Sequence, residues 1–147
     1  MPNRENLTQR EAFAKLFSEG QRIAFQKSVK ANPIFFTYSF QDCPKDCQFF
    51  VLNPFKAEAT ERNIDNVLYR QGITVEMDCV SLQTQRDWFK AVLGNATVSN
   101  FSGNKSIHQH LIFANPLTQA EESQIVEVLK KAFPFSDWQV LSDKARL

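Results

Sequence analysis

The chain has 147 residues, 43% of them hydrophobic and only 4 of them Gly, which excludes a disordered or collagen-like chain and allows one buried core. The net charge of +1 excludes a globally basic nucleic-acid binder: residues 1–75 carry 10 Lys/Arg against 8 Asp/Glu and residues 76–147 carry 7 against 8, so any polyanion contact must be local. Three cysteines fit a reducing compartment better than a disulfide framework, and no run of 18 apolar residues or signal-like segment follows Met1, so a soluble, cytoplasmic protein without a membrane partner is expected.

Thr8-x-x-Glu11 has the form of a capping box, with Phe13, Leu16 and Phe17 following at helical spacing and Gly20 as a stop. Residues 21–31 offer a second helical segment before Pro33. Residues 34–40 and 48–52 are aromatic and β-branched and read as strands, the second closed by Asn53-Pro54. The polar stretch 56–70 reads as a loop or short helix. Together these make an N-terminal α/β module over residues 1–71.

From Gly72 the order is plainer. Residues 73–78 read as a strand, and Ser81 N-caps a helix that runs to Leu93 and stops at Gly94. Residues 96–101 and 106–113 read as strands around a turn at 102–105. Thr118-x-x-Glu121 caps a further helix, with Ile125, Leu129, Ala132 and Phe133 on one face, and a last short strand is expected near 138–141. The order β-α-β-β-α-β over 72–147 predicts a ferredoxin-like, RRM-like module, and an α+β protein as a whole.

Side chains two apart on a strand share a face, so Glu76 pairs with Asp78, and Ser106 with His108 and His110. In a ferredoxin-like sheet the first and third strands are neighbours and the fourth flanks the first. Glu76 and Asp78 then lie beside Ser106 and His108, and Asp137, at the start of the last strand, approaches from the other flank. Carboxylate oxygens suit hard divalent ions such as Mg²⁺ or Mn²⁺, which can sit in pairs about 3.5–4 Å apart and act on a phosphate. The same Glu-x-Asp is also what a solvated strand end looks like. Ser102-Gly103-Asn104-Lys105-Ser106 is either a plain hairpin turn or a turn whose N–H groups, lysine and serine gather phosphate oxygens. His108 and His110 form an H-x-H pair, a candidate zinc ligand set or a phosphoesterase feature. Cys43-Pro44-Lys45-Asp46-Cys47 has the spacing of half a zinc site, but no second Cys/His pair follows it, and buried or free thiols around a Pro turn are the better reading. Trp88 and Phe89 read as core.

Taken together, these residues resemble the archaeo-eukaryotic primase superfamily, in particular the primase-polymerases of plasmids, phages and related mobile elements. Residues 73–78 with Ser81, Leu82 and Gln85 look like its first motif, and residues 101–108 look like its second, a strand-turn-strand ending S-x-H. Residues 52–54 with Arg62, Asn63, Asn66 and Arg70 resemble the segment before the first motif. Residues 136–140 and 143–147 resemble the third-motif aspartate and the basic stretch after it. The resemblance spans roughly residues 49–147 and implies template-directed nucleotidyl transfer from an NTP or dNTP on a single-stranded DNA template or primer, with a replicative helicase as a candidate partner. It implies that Glu76, Asp78 and Asp137 hold two Mg²⁺ or Mn²⁺ ions. Ser102, Asn104, Lys105, Ser106 and His108 would bind the nucleotide, and Arg62, Arg70 and Arg146 are candidate nucleotide or template contacts. Two departures stand out. Glu76 replaces the Asp of many members, and members continue past the position of Leu147, so the resemblance fits either one part of a larger replication protein or a reduced homologue. A non-catalytic relative that binds nucleotide or single strands is the alternative.

Overall fold

The computed structural model describes residues 8–28, 34–47, 49–94, 98–101 and 105–146. Two three-stranded antiparallel sheets and four helices are present among them, an α+β arrangement. Helix α1 (Gln9–Leu16) begins at the Thr8 capping box, where the Thr8 side chain accepts from Glu11 N–H and the Glu11 carboxylate accepts from Thr8 N–H. Strands β1 (Ile23–Gln26), β2 (Phe35–Thr37) and β3 (Phe49–Phe50) form the first sheet in the order β2-β1-β3. The helix expected over 21–31 is therefore a strand in its described part. All four residues of β1 are buried at the centre of the sheet, and such a strand loses the polar/apolar alternation that would mark it in sequence. Phe13 of α1 stacks on Phe40 at 4.6 Å between ring centroids and also meets Phe17, Phe25 and Phe50. A small core of Ala24, Val51, Phe55, Ala59 and Val67 lies with this unit, and Ala145 joins it from far along the chain.

The second unit contains β4 (Arg70–Val75), α2 (Leu82–Leu93), β5 (Val98–Phe101), β6 (Ile107–Leu117), α3 (Gln119–Ala132) and α4 (Trp138–Ser142). Its sheet runs β4-β6-β5, so the first strand neighbours the third, as a ferredoxin-like order requires. Strand alternation sorts the side chains. Ile73, Val75 and Met77 enter a core with Phe89 of α2 and Val126 and Leu129 of α3, each such side chain worth about 1.5–3 kcal/mol of burial. Arg70, Gly72, Thr74 and Glu76 line a cleft on the other side of the strand, where Arg70 also reaches α3 and α4. Helix α2 starts at Ser81, whose hydroxyl accepts from Thr84 N–H, and ends at Gly94 with φ +62°. Trp88 and Phe89 pack inward, Trp88 donating its indole N–H to Ala132 O at 2.9 Å.

The last strand expected near 138–141 is a helix. Asp137 caps α4 by accepting from Gln139 and Val140 N–H, and Arg70 holds its far end by donating to the Leu141 and Ser142 carbonyls. Apolar Val140 and Leu141 are adjacent and both buried, which a strand with one solvated face could not accommodate. Helix α4 packs against β4, beside which the fourth strand was expected, so this sheet has three described strands where an RRM-like module has four. Residues 144–146 then cross to the first unit: Asn53 donates to Lys144 O at 2.9 Å and Arg62 to Ala145 O at 2.9 Å.

Candidate functional site

The cleft beside the second sheet has a volume of about 230 Å³. Its floor is set by β4 and β6: Thr74 of β4 and Glu76 just past its end, His108 and His110 of β6, with Thr74 directly opposite His110 in the register. Asn100 and Phe101 of β5 and Phe49 and Phe50 of β3 form one side, and Val140, Asp143 and Arg146 form another. Both units and the segment after α4 are needed to enclose it.

Glu76 is the centre of the polar network. Ser106 Oγ–H donates to Glu76 Oε1 at 2.9 Å, and His108 Nε2 lies 3.4 Å from the same oxygen. His108, Ser106 and the nearby charge of Arg146 hold the Glu76 carboxyl below the usual carboxylate range, against the opposing effect of burial. Ser106 is itself 3% exposed and does not line the cleft; its hydroxyl reaches the cleft through Glu76. Its position is set by Gln85, a fully buried residue of α2. Gln85 accepts from Ile107 N–H at 2.8 Å and donates to Lys105 O and Val80 O at 2.9 Å, pinning both neighbours of Ser106. Its appearance beside Ser81 in the motif was the only sequence signal for this role; a mid-helix Gln is otherwise silent.

His110 sits deeper. Its Nε2 contacts Asn100 Oδ1 at 2.5 Å and its Nδ1 contacts Thr74 Oγ1 at 2.8 Å, a pattern satisfied by a neutral ring protonated on Nε2 with Thr74 as donor to Nδ1. Burial, with His108 nearby, pushes its pKa down to about 3. With both nitrogens occupied, His110 has no lone pair turned to a metal shared with His108.

The other expected site residues are distributed differently. Strand β4 ends at Val75, so Asp78 stands in the following turn, exposed and outside the cleft lining. Asp137 is near by backbone, since its N–H donates to Glu76 O at 2.8 Å, but its carboxylate caps α4. Lys105 is exposed beside Ser106, while Ser102 and Asn104 lie outside the described residues. Arg70 lines the cleft but is 4% exposed and spends its donors internally, on Gly72 O, Glu122 and the end of α4; it is a clamp between β4, α3 and α4. Arg62 serves the Ala145 carbonyl and does not line the cleft. Arg146 is exposed and lines it, as does Asp143, which was not singled out in sequence because only the turn after α4 brings it there. Cys43, Cys47 and Cys79 are free thiols, and burial beside Cys47 pushes Cys43 up to about 12, the signature of an inert thiol.

Among the described residues, no three His, Cys, Asp or Glu side chains gather closely enough to hold a metal ion. Of the three expected carboxylates only Glu76 lines the cleft; Asp78 is exposed outside it, and the Asp137 carboxylate caps α4 although its backbone N–H reaches the Glu76 carbonyl. No helix is long and apolar enough to cross a membrane among the described residues. Comparison of the chain with family models, with curated proteins and with solved structures returned no match.

Proposed function

We propose that this chain carries a metal-dependent nucleotidyltransferase site of the primase-polymerase kind, adding nucleotides from an NTP or dNTP to a strand on a single-stranded DNA template. The observation that carries this reading is the convergence of Ser106 Oγ and His108 Nε2 on one oxygen of Glu76, in a cleft whose wall holds Arg146. A hydroxyl, an imidazole and a cation around one anionic position form a constellation able to accept phosphate oxygens in place of the carboxylate. In this reading Ser106, His108 and Arg146, with Lys105 and the sequence neighbours Ser102 and Asn104, would hold the triphosphate. Glu76, Asp78 and Asp137 would hold two Mg²⁺ or Mn²⁺ ions, which lower the pKa of an attacking 3′-hydroxyl and offset charge on the phosphoryl group. With ions and nucleotide bound, Glu76 would give up its bonds to Ser106 and His108 and serve as a metal ligand, leaving the two donors for the triphosphate.

A second reading, a non-catalytic relative that binds nucleotide or single strands, is favoured by one feature: the Asp137 carboxylate is engaged as a helix cap. Primer extension on single-stranded DNA with labelled nucleotides and Mn²⁺ or Mg²⁺ separates the two. Template-dependent product from the wild type, lost in Asp78→Ala and His108→Ala, is the expected result. Metal-dependent nucleotide binding that needs His108 but yields no product would establish the second reading instead.

A further inference from the structure

The cleft at Glu76 continues past His110. Phe49, Phe50, Asn100, Phe101 and His110 line it and also line a second cavity of about 670 Å³, which extends toward α1 and the 40–47 loop. Six phenylalanines line this cavity, among polar and small side chains. Phe13, Phe25, Phe40 and Phe50 are packed on one another, whereas Phe49 and Phe101 have no ring partner among the described residues. Phe101, at the end of β5, is 53% exposed, an unusual position for a large apolar side chain unless something covers it.

The polar edge of the same cavity has one sign of charge. Exposed Arg10 and Lys45 line it, and no Asp or Glu does among the described residues. Asp46, next to Lys45, is held by Lys27 at 2.6 Å. An apolar ligand would need no cations here, and a simple anion would need no free aromatic faces. An unpaired nucleotide uses both, because every base has a π-face and every linkage a phosphate.

We propose that this cavity receives an unpaired nucleotide of a single strand that continues into the Glu76 cleft, its base on Phe101 and Phe49 and its phosphates toward Arg10 and Lys45. The continuation into the cleft rests on the nucleotidyl-transfer reading; the stacking site does not.

The test is binding of the full chain to a fluorescent deoxythymidine oligonucleotide and its ribonucleotide counterpart, at several salt concentrations. Phe101→Ala should weaken binding on the order of tenfold, Phe101→Tyr should restore it, and Phe101→Leu should not, since stacking needs a π-face. Arg10→Gln and Lys45→Gln should each reduce the salt slope by about one unit. Phe101 is half-exposed, so its variants should keep the wild-type melting temperature, and melting of each is measured alongside. Binding to neither oligonucleotide, binding indifferent to Phe101→Ala, or full rescue by leucine would overturn the proposal. Phe101-dependent binding without primer extension would remove only the catalytic reading; primer extension with Phe101-independent binding would remove only this one.

Discussion

The backbone N–H of Asp137 donates to the carbonyl of Glu76 over 2.8 Å, which brings the cap of α4 against the end of β4. The two residues meet through main chain, while their carboxylates serve different partners: Gln139 and Val140 N–H for one, Ser106 and His108 for the other. Asp137 therefore has a structural task and, in the proposed function, a metal-binding one, and substitutions can separate them. Asp137→Asn keeps a good N-cap and should leave the melting temperature nearly unchanged, whereas Asp137→Ala should cost about 1 kcal/mol. If Asp137 is also a metal ligand, both variants lose metal-dependent nucleotide binding; an Asn variant with wild-type metal response would assign Asp137 to capping alone.

Glu76 makes stability depend on acid. Its carboxyl titrates below the usual value because His108 and Ser106 bond to the charged form. The unfolded chain, with an ordinary glutamate near about 4.3, binds the proton first. The stabilisation is therefore complete above that value and disappears as pH falls through the lower folded one. Glu76→Gln should flatten that part of the stability–pH curve, measured by urea melts across the acid range.

His110 acts over a different window and in the same direction. Buried and neutral, with its pKa pushed down to about 3, it resists a proton that an unfolded histidine accepts near 6.5. Between those values stability should fall as pH falls, with a slope of up to about 1.4 kcal/mol per pH unit from this residue. His110→Phe should remove the slope between pH 6.5 and 4.5, above the range where Glu76 contributes. An unchanged slope would mean that the ring is hydrated in solution.

Arg70 should behave as a clamp. Its guanidinium bonds Gly72 O, Ser142 O, Leu141 O and Glu122 from a site 4% exposed. Arg70→Met leaves those acceptors and the Glu122 charge uncompensated, at a cost of about 3–5 kcal/mol. The expected result is a large drop in melting temperature. A variant of wild-type stability with weakened nucleotide affinity would return Arg70 to the role of ligand contact.

Gly72 is required by space. A Cβ there would lie 2.7 Å from Leu52 Cδ2 and 2.8 Å from the Leu111 carbonyl oxygen, and the latter, being main chain of β6, cannot swing away. Gly72→Ala should cost about 1–3 kcal/mol in a denaturant melt. The strain should also reach the cleft, because Gly72 lines it.

What was legible in the sequence is what is encoded locally. Thr8 and Thr118 cap helices where their spacing to Glu11 and Glu121 placed them, and Ser81 caps α2 as a plain N-cap, because a cap needs only three or four consecutive residues. Two-residue alternation put Ser106 and His108 on one face, and the order of strands put Glu76 beside them. The failures lie where tertiary contacts decide. At four and five residues, β1 and α4 are too short for their periodicity to speak, and burial on both sides of β1 or the cap and clamp of α4 settles them. Arginine is equally uninformative in sequence: nothing in the letters at 62, 70 and 146 distinguishes two internal braces from one exposed cation.

The bonds from Asn53 to the Lys144 carbonyl and from Arg62 to the Ala145 carbonyl span 91 and 83 residues of chain, and Ala145 sits in the core built by residues 24–67. Closing loops of that length is slow compared with forming hairpins or helices. The wall of the cleft that carries Asp143 and Arg146 should therefore be among the last parts to take shape. A refolding chain would acquire its helices and its central strands first, and its affinity for a phosphate-bearing ligand only at the end.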